Sequence, residues 1–163
     1  MFINEMNNTK MLGKFKLNNI YHGDCIALLQ DMPNNCIDLV VTDPPFAIDF
    51  KGRRSNYNRI ANRVIEGYNE ISQSDYFEFT LKWMKEATRT LKASGTMYIV
   101  SGWTNLRDIL NAIEDNKLIT LNHLIWKYQF GVYTKKKFVS SHYHILMCIK
   151  DKKNYKFRSR IRW

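Results

Sequence analysis

The chain has 163 residues, which fits one domain of ordinary size, and at 45% hydrophobic and 13% aromatic it can build a real core. It contains no run of about 20 apolar residues, so no transmembrane helix is expected. Residues 1–16 lack the apolar core of a secretory signal peptide. The formal net charge of +10 favours nucleic acid or another polyanion as a partner, although a basic surface that only promotes solubility is the alternative.

The cysteines and histidines indicate no metal site. Cys25, Cys36 and Cys148 lie in apolar contexts without metal-ligand spacing, which predicts reduced core thiols in a cytoplasmic protein. His142 and His144 are two residues apart and could therefore share one face of a strand. A metal site needs more ligands, and no acidic residue or cysteine is spaced to supply them, so no bound metal is expected.

The first part of the chain predicts two strands joined by a short helix. Residues 1–16 are polar and rich in asparagine, which predicts a flexible leader. A short strand is expected at Ile20–Asp24, followed by a helix over Cys25–Met32 that Asp24 caps. The β-branched run Ile37–Thr42 then predicts a buried strand. Strand, helix and strand in this order imply a parallel pair joined by a right-handed crossover.

The second strand ends at Asp43-Pro44-Pro45-Phe46. Neither proline can donate a ladder hydrogen bond, each fixes φ near about −65°, and Pro45 also holds Pro44 extended. The sequence therefore predicts a stiff corner at the carboxyl end of a central strand, where ligands of open α/β sheets bind. The corner offers a carboxylate that only accepts hydrogen bonds, free carbonyls and an aromatic ring. A plain proline turn is the alternative.

Residues 47–72 show no clean periodicity and predict a mobile basic loop, with a short helix over residues 58–65 as an option. Long loops in compact domains are usually functional or disordered. Tyr57 and Tyr68 are interleaved with five basic residues that we expect to contact DNA, namely Lys51, Arg53, Arg54, Arg59 and Arg63. An ordinary solvated basic loop is the alternative.

The remainder of the chain alternates helices and strands. Apolar residues recur at helical spacing over Asp75–Ala93, with Ser74 as the expected N-cap and Gly95 at C′. A buried strand, a helix and two last strands are expected to follow, at Thr96–Ser101, Thr104–Asn116, Leu118–Lys127 and Tyr143–Lys150. Residues 151–163 form a basic tail that either contacts DNA or begins a further segment.

Thr42-Asp43-Pro44-Pro45-Phe46 after an apolar strand resembles the D-P-P-[YFW] motif of DNA amino-methyltransferases, which use S-adenosylmethionine to methylate adenine N6 or cytosine N4. The stretch LKASGTMYIV resembles the family's helix, turn and strand after this motif, and LIWKYQFG and HYHILMCIK loosely fit its last, antiparallel strand pair. The resemblance covers residues 17–150 as a partial catalytic domain. It implies an α/β, Rossmann-like methyltransferase sheet, mostly parallel with an antiparallel closing strand, and double-stranded DNA as the partner.

The resemblance also implies roles for individual residues. Asp43 would accept one N–H of the target amine and the main-chain carbonyl of Pro44 would accept the other, with Pro45 completing the catalytic motif. Phe46 would stack on a base flipped out of the duplex. Asp24 and Asp43 would contact the cofactor, S-adenosylmethionine, and capping a helix is a compatible role for Asp24. An aspartate at the first motif position favours adenine N6 over cytosine N4.

The chain departs from the family's pattern in two places. Tyr143 and His144 stand where many members have a glutamate. The family's cofactor-binding motif, Phe-x-Gly-x-Gly, is absent from the sequence. In the permuted β class the catalytic motif comes first and the glycine motif follows near the C-terminus, so the chain resembles the first half of such an enzyme. We therefore expect an incomplete sheet without its glycine-motif strands, and either a complementary subunit or self-association.

Three functions fit these observations. The first is a site-specific DNA methyltransferase of a restriction-modification system. The second is a non-catalytic truncated fragment, or one subunit of a split enzyme, that binds DNA or a partner chain. The third, methylation of a protein or RNA amide, usually goes with Asn-Pro-Pro rather than Asp-Pro-Pro.

Overall fold

A computed structural model describes residues 10–47, 71–129, 135–136 and 138–157. The described strands are β1 (Met11–Leu12), β2 (Phe15–Lys16), β3 (Ile37–Thr42), β4 (Leu91–Ser101), β5 (Ile119–Lys127) and β6 (His142–Ile149). The helices are α1 (Cys25–Gln30), α2 (Tyr76–Thr90) and α3 (Leu106–Asp115). None of these helices is long and apolar enough to cross a bilayer. Helices and strands alternate from α1 to β5 in the described order, and β6 then follows β5, so the protein is an α/β domain.

Four strands form a mixed sheet in the order β3-β4-β6-β5, and β1 pairs with β2 in a separate hairpin. β3 and β4 are parallel, whereas β6 is antiparallel to both of its neighbours. Three strands of this sheet therefore run in one direction and β6 runs in the other. The antiparallel pairing expected for the last two strands is confirmed.

The core lies between one face of this sheet and the helices. Met97 and Ile99 of β4 are opposite Cys148 and Leu146 of β6, and all four are buried in one cluster. The buried faces of α2 and α3 complete that cluster with Trp83, Met84, Ala87, Ile109, Ala112 and Ile113. Side chains alternate between the faces of a strand. Side chains of the opposite face lie outside this cluster, although Met147 and Ile149 among them are buried.

The exposed residues of β3 lie on that opposite face. Leu39 and Val41 are 55% and 68% exposed, whereas the intervening Val40 packs against the core. In the described part of the chain, β3 pairs with β4 alone, so its other edge is open. Large apolar side chains beside an open strand edge are a site where another polypeptide can pair.

The strand expected at Ile20–Asp24 is not formed. Ile20 is 97% exposed. The ring of Tyr21 instead contacts Phe15 edge-on at 4.9 Å, and its hydroxyl accepts a 2.6 Å hydrogen bond from the Lys16 amide. These contacts hold the segment against the β1–β2 hairpin. The expected parallel pair and its crossover are therefore absent from the described structure.

The boundary between α2 and β4 also differs from the prediction. The helix ends at Thr90 instead of Ala93, and Gly95 lies inside a strand rather than at a helix C-terminus. A Cβ on Gly95 would lie 2.7 Å from Leu91 Cδ1 and 3.1 Å from the Asp38 carbonyl oxygen. The glycine thus permits close approach of β3 and β4. The N-cap is Asp75 rather than Ser74.

The expected division into leader, catalytic part and tail stays a prediction. The β1–β2 hairpin falls inside the segment expected to be a leader. Most of the expected loop over residues 47–72 lies outside the described residues. The cysteine expectation holds for Cys148, which is buried, whereas Cys36 is half-buried and Cys25 is exposed rather than in the core.

Candidate active site

The corner after β3 presents a carboxylate and an aromatic ring at its surface. Asp43 is exposed and Phe46 is half-buried, while Pro44 between them is buried and anchors the turn. Ala47 follows, buried, with a φ of 49°. A non-glycine residue rarely adopts this left-handed conformation, so the chain turns sharply here under local strain. The corner expected from the two prolines is thus present at the end of β3.

The carboxyl group of Asp43 is electrostatically perturbed. Partial burial raises the pKa of Asp43 above the ordinary value of an aspartate. Its negative charge is also among the causes that raise the pKa of Tyr76, after burial, which is the largest cause. The Asp43 carboxylate thus disfavours the ionised, phenolate form of Tyr76. An acid with a raised pKa at a strand end is a common feature of functional sites.

A cleft of about 420 Å³ runs along the open edge of β3, between α1 and α2. Its lining combines the end of β3 with apolar residues of both helices: Cys25, Leu29, Met32, Ile37, Leu39, Val40, Val41, Thr42, Asp43, Pro44, Pro45, Phe79, Trp83, Ala87 and Thr90. Trp83 is 5% exposed, and its indole N–H has no hydrogen-bond partner among the described residues. The cleft therefore offers mainly apolar surface, with the Asp43 carboxylate in its lining.

Asp24 caps helix α1. Its Oδ1 accepts a 2.9 Å hydrogen bond from the Ala27 amide, as expected of an N-cap. The next residue, Cys25, lines the same cleft as Asp43. The start of α1 and the end of β3 therefore meet at one cleft. A contact between Asp24 and a cofactor stays a prediction.

Aromatic side chains continue from the corner across the end of the sheet. The Phe46 and Tyr143 ring centroids are 5.6 Å apart, and Tyr143 lies 5.2 Å from Tyr128 and 6.3 Å from Trp126. Trp126 and Tyr143 are directly opposite each other on β5 and β6. Tyr143, which stands where many family members have a glutamate, is therefore next to the corner residue Phe46.

A buried polar pair lies behind the corner and was missed in the sequence analysis. Asn105 Nδ2 donates a 2.6 Å hydrogen bond to the Tyr76 hydroxyl, and both residues are at most 3% exposed. A Cβ on Gly102 would lie 3.2 Å from Asn105 Oδ1 and 3.6 Å from Phe46 Cδ2. The polar segment Ser-Gly-Trp-Thr-Asn directly after a buried strand was the available signal, because such strand ends line sites in α/β sheets.

The histidines form a cluster on β5 and β6. His142 and His144 share a strand face, as expected, with ring centroids 5.1 Å apart. His123 Nε2 and His144 Nδ1 are 2.7 Å apart and share a hydrogen bond. Burial, and then the neighbouring imidazoles, lower the pKa of His144. In the described ranges, no group of three potential ligands has the geometry to hold a metal ion.

The basic residues expected to bind DNA lie outside the described residues. This applies to Lys51, Arg53, Arg54, Arg59 and Arg63. Their role stays a prediction.

Comparisons with known proteins agree on one family. The sequence profile of the family described as DNA methylase matches residues 37–162. The chain is 31% identical to the type II methyltransferase M.HinfI of Haemophilus influenzae over 143 residues, which are 85% of this chain and 40% of that protein. It is 33% identical to the DNA adenine methyltransferase YhdJ of Escherichia coli K12 over 141 residues, 85% of this chain and 43% of that protein.

Solved structures share the fold. The PvuII DNA methyltransferase, which is specific for cytosine N4, matches 81% of this chain and 49% of its own length, with a TM-score of 0.61 at 19% identity. M1.HpyAVI matches 88% of this chain and 63% of its own, with a TM-score of 0.59 at 17% identity. The chain spans about two fifths of the length of the two curated relatives.

Proposed function

This chain belongs to the DNA methylase family, and from that premise we propose that it is the catalytic part of a methyltransferase acting on DNA. The enzyme transfers a methyl group from S-adenosylmethionine to the exocyclic amine of a flipped base. One observation carries the proposal: Asp43 and Phe46 are accessible on a rigid corner that closes one end of the cleft beside β3.

The corner suits a poor amine nucleophile. The lone pair of an exocyclic amine is conjugated into the base, so the nitrogen must become pyramidal before it reacts. Asp43 accepts one N–H of that amine and the Pro44 carbonyl accepts the other, which turns the lone pair out of the ring plane. Pro45 keeps this carbonyl out of any helix, and Phe46 stacks on the base. The raised pKa of Asp43 also favours uptake of the proton that the amine loses after transfer.

The target is adenine N6. Support comes from aspartate at the first motif position and from the relative at 33% identity, whose name is DNA adenine methyltransferase. Cytosine N4 is the alternative target. Liquid chromatography with mass spectrometry of nucleosides from modified DNA separates the two, since N6-methyladenine is the expected product and N4-methylcytosine would contradict the assignment.

The cleft contains part of what the cofactor needs. S-adenosylmethionine supplies the methyl group on a sulfonium cation, and it also carries a carboxylate and ribose hydroxyls. Asp43 can attract the cationic part, with Asp24 at the start of α1 as a second acceptor. The described residues that line the cleft include no lysine or arginine, so this part of the lining gives the cofactor's carboxylate no charged partner. A Phe-x-Gly-x-Gly segment from outside this sequence would supply the binding site for this carboxylate.

We propose that this segment enters at the open edge of β3 as a further strand. It would complete a mostly parallel, Rossmann-like sheet that is incomplete here without its glycine-motif strands. Leu39 and Val41 would then be covered. The segment comes from a complementary subunit or from the remainder of a longer chain, and self-association through the same edge is the alternative.

Double-stranded DNA is the proposed substrate. The net charge of +10 supports this, because neutralising phosphates drives association with DNA. In this proposal Lys51, Arg53, Arg54, Arg59 and Arg63 contact the DNA backbone while the target base is flipped, at a cost of about a few kcal/mol. A cytoplasmic location is part of the same proposal, since that compartment holds bacterial DNA.

A second function follows from the same open edge. The chain would act as a non-catalytic fragment or binding subunit if no complementary segment exists. Calorimetry measures binding of S-adenosylmethionine in two samples and so distinguishes the two functions. The first sample is this chain alone, and the second also contains the remaining part of a relative such as YhdJ. Cofactor binding and methyl transfer in the mixture support the enzyme, whereas DNA binding without either result supports the fragment.

A further inference from the structure

The aromatic surface beside the corner consists of Phe46, Trp126, Tyr128 and Tyr143, and we call it the aromatic platform. Neighbouring rings lie 5.2–6.3 Å apart between centroids, within the range of aromatic contacts. Trp126 remains 56% exposed, and the other three members are half-buried. A large share of this aromatic surface therefore faces solvent rather than the core.

The segment that carries most of the platform is free of acidic residues. Between residues 116 and 150 the sequence contains no aspartate or glutamate and six lysines, at positions 117, 127, 135, 136, 137 and 150. Lys127 directly follows Trp126, and Lys135 and Lys136 are exposed in the connection between β5 and β6. Lys117 and Lys150 lie at the opposite end of the β5–β6 pair, where Lys150 Nζ donates to the Leu91 carbonyl, so Lys127, Lys135 and Lys136 supply the positive charge at the end that carries the platform.

The distance and tilt between the Phe46 and Tyr143 rings determine whether a base can stack between them. A base stacked between two rings needs them roughly parallel and about 7 Å apart, twice the usual carbon–carbon contact distance of about 3.5 Å. Their centroids are 5.6 Å apart and their planes are tilted by 48°. No base fits between them in this arrangement. Tyr143 therefore extends the surface of Phe46 sideways instead of forming an opposite wall.

We propose that the aromatic platform binds unpaired nucleotides next to the target base, with Trp126 as the main stacking residue beyond Phe46. Stacking is tolerant of base identity, because every base has an aromatic face. The neighbouring lysines hold the phosphates. This proposal rests on the proposed function, because it takes DNA as the substrate. It adds that the DNA strand around the target base is locally unpaired when bound.

Fluorescence anisotropy with this chain tests the platform without any methyl transfer. The probe is a labelled single-stranded oligodeoxythymidylate of about 12 nucleotides, and a second probe has the same backbone with abasic sites. Trp126→Ala should weaken binding of the first probe about tenfold, a typical loss for one stacked base. The abasic probe should be unaffected, and the slope of log Kd against log salt should not change, because no phosphate contact is removed.

Two further variants control the experiment. Leu110 is 41% exposed on α3, so Leu110→Ala removes an accessible apolar side chain outside the platform and should leave both affinities unchanged. Trp126→Phe should restore most of the lost affinity. Equal weakening of both probes by Trp126→Ala, or no weakening, would overturn the proposal. Stacking without any methyl transfer by the completed enzyme would refute the proposed function and leave the platform intact.

Discussion

Gly102→Ala probes the contact between the buried polar pair and the corner. The new Cβ would lie 3.2 Å from Asn105 Oδ1, which is closer than ordinary contact distance, and 3.6 Å from Phe46 Cδ2. The Asn105 amide cannot move away freely, because its nitrogen is held by the 2.6 Å hydrogen bond to Tyr76. Overpacking of this kind costs about 1–2 kcal/mol. The melting temperature should fall by about 2–4 °C for each kcal/mol in a chain of this size.

Gly23→Ala is the matched control for this experiment. Its Cβ would lie 3.3 Å from Leu28 Cδ1, nearly the same clearance, but that atom is the end of a flexible side chain. We expect a change below about 0.5 kcal/mol in this variant. Thermal unfolding followed by circular dichroism measures both. Equal stability of Gly102→Ala and the unchanged chain, or an equal loss in both variants, would refute the packing argument.

The remaining predictions concern the open edge, the corner acid and the buried pair. The double variant Leu39→Lys, Val41→Lys should reduce self-association measured by light scattering, because charges on an open strand edge oppose pairing between chains. A monodisperse, monomeric unchanged chain would contradict this prediction. Burial raises the folded-state pKa of Asp43, so its contribution to stability is present at low pH and lost as pH rises through that pKa. Asp43→Asn should therefore be more stable than the unchanged chain at pH 7 and equally stable near pH 3, whereas a pH-independent difference would contradict the raised pKa. Tyr76→Phe should lower the free energy of unfolding by about 1–3 kcal/mol, because it leaves the buried Asn105 amide without its acceptor, and a neutral result in urea unfolding would contradict that contact.

Local chemistry made the corner predictable from sequence. Two consecutive prolines dictate an extended turn whatever surrounds them, and Asp43 and Phe46 flank them directly. The Asp24 cap and the bounds of β3 were predictable for the same reason. The strand expected at Ile20–Asp24 was not formed, since a strand needs a pairing partner, and the described residues offer none at that edge.

Contacts between distant segments were beyond sequence reasoning. Tyr143 meets Phe46 because the order β3-β4-β6-β5 brings the start of β6 near the end of β3, which no spacing in the sequence reveals. Asn105 and Tyr76 are likewise 29 residues apart. Gly95 was assigned to a helix end because glycine often occurs there, whereas close approach of Leu91 and the Asp38 carbonyl determines its position.

Transfer of a tritiated methyl group tests the central claim most directly. The assay uses S-adenosylmethionine, adenine-containing duplex DNA and this chain completed by a segment with the Phe-x-Gly-x-Gly motif. The unchanged chain should label the DNA, and Asp43→Ala should reduce labelling to background while unfolding as cooperatively as the unchanged chain. Labelling that persists in Asp43→Ala would contradict the role of the corner.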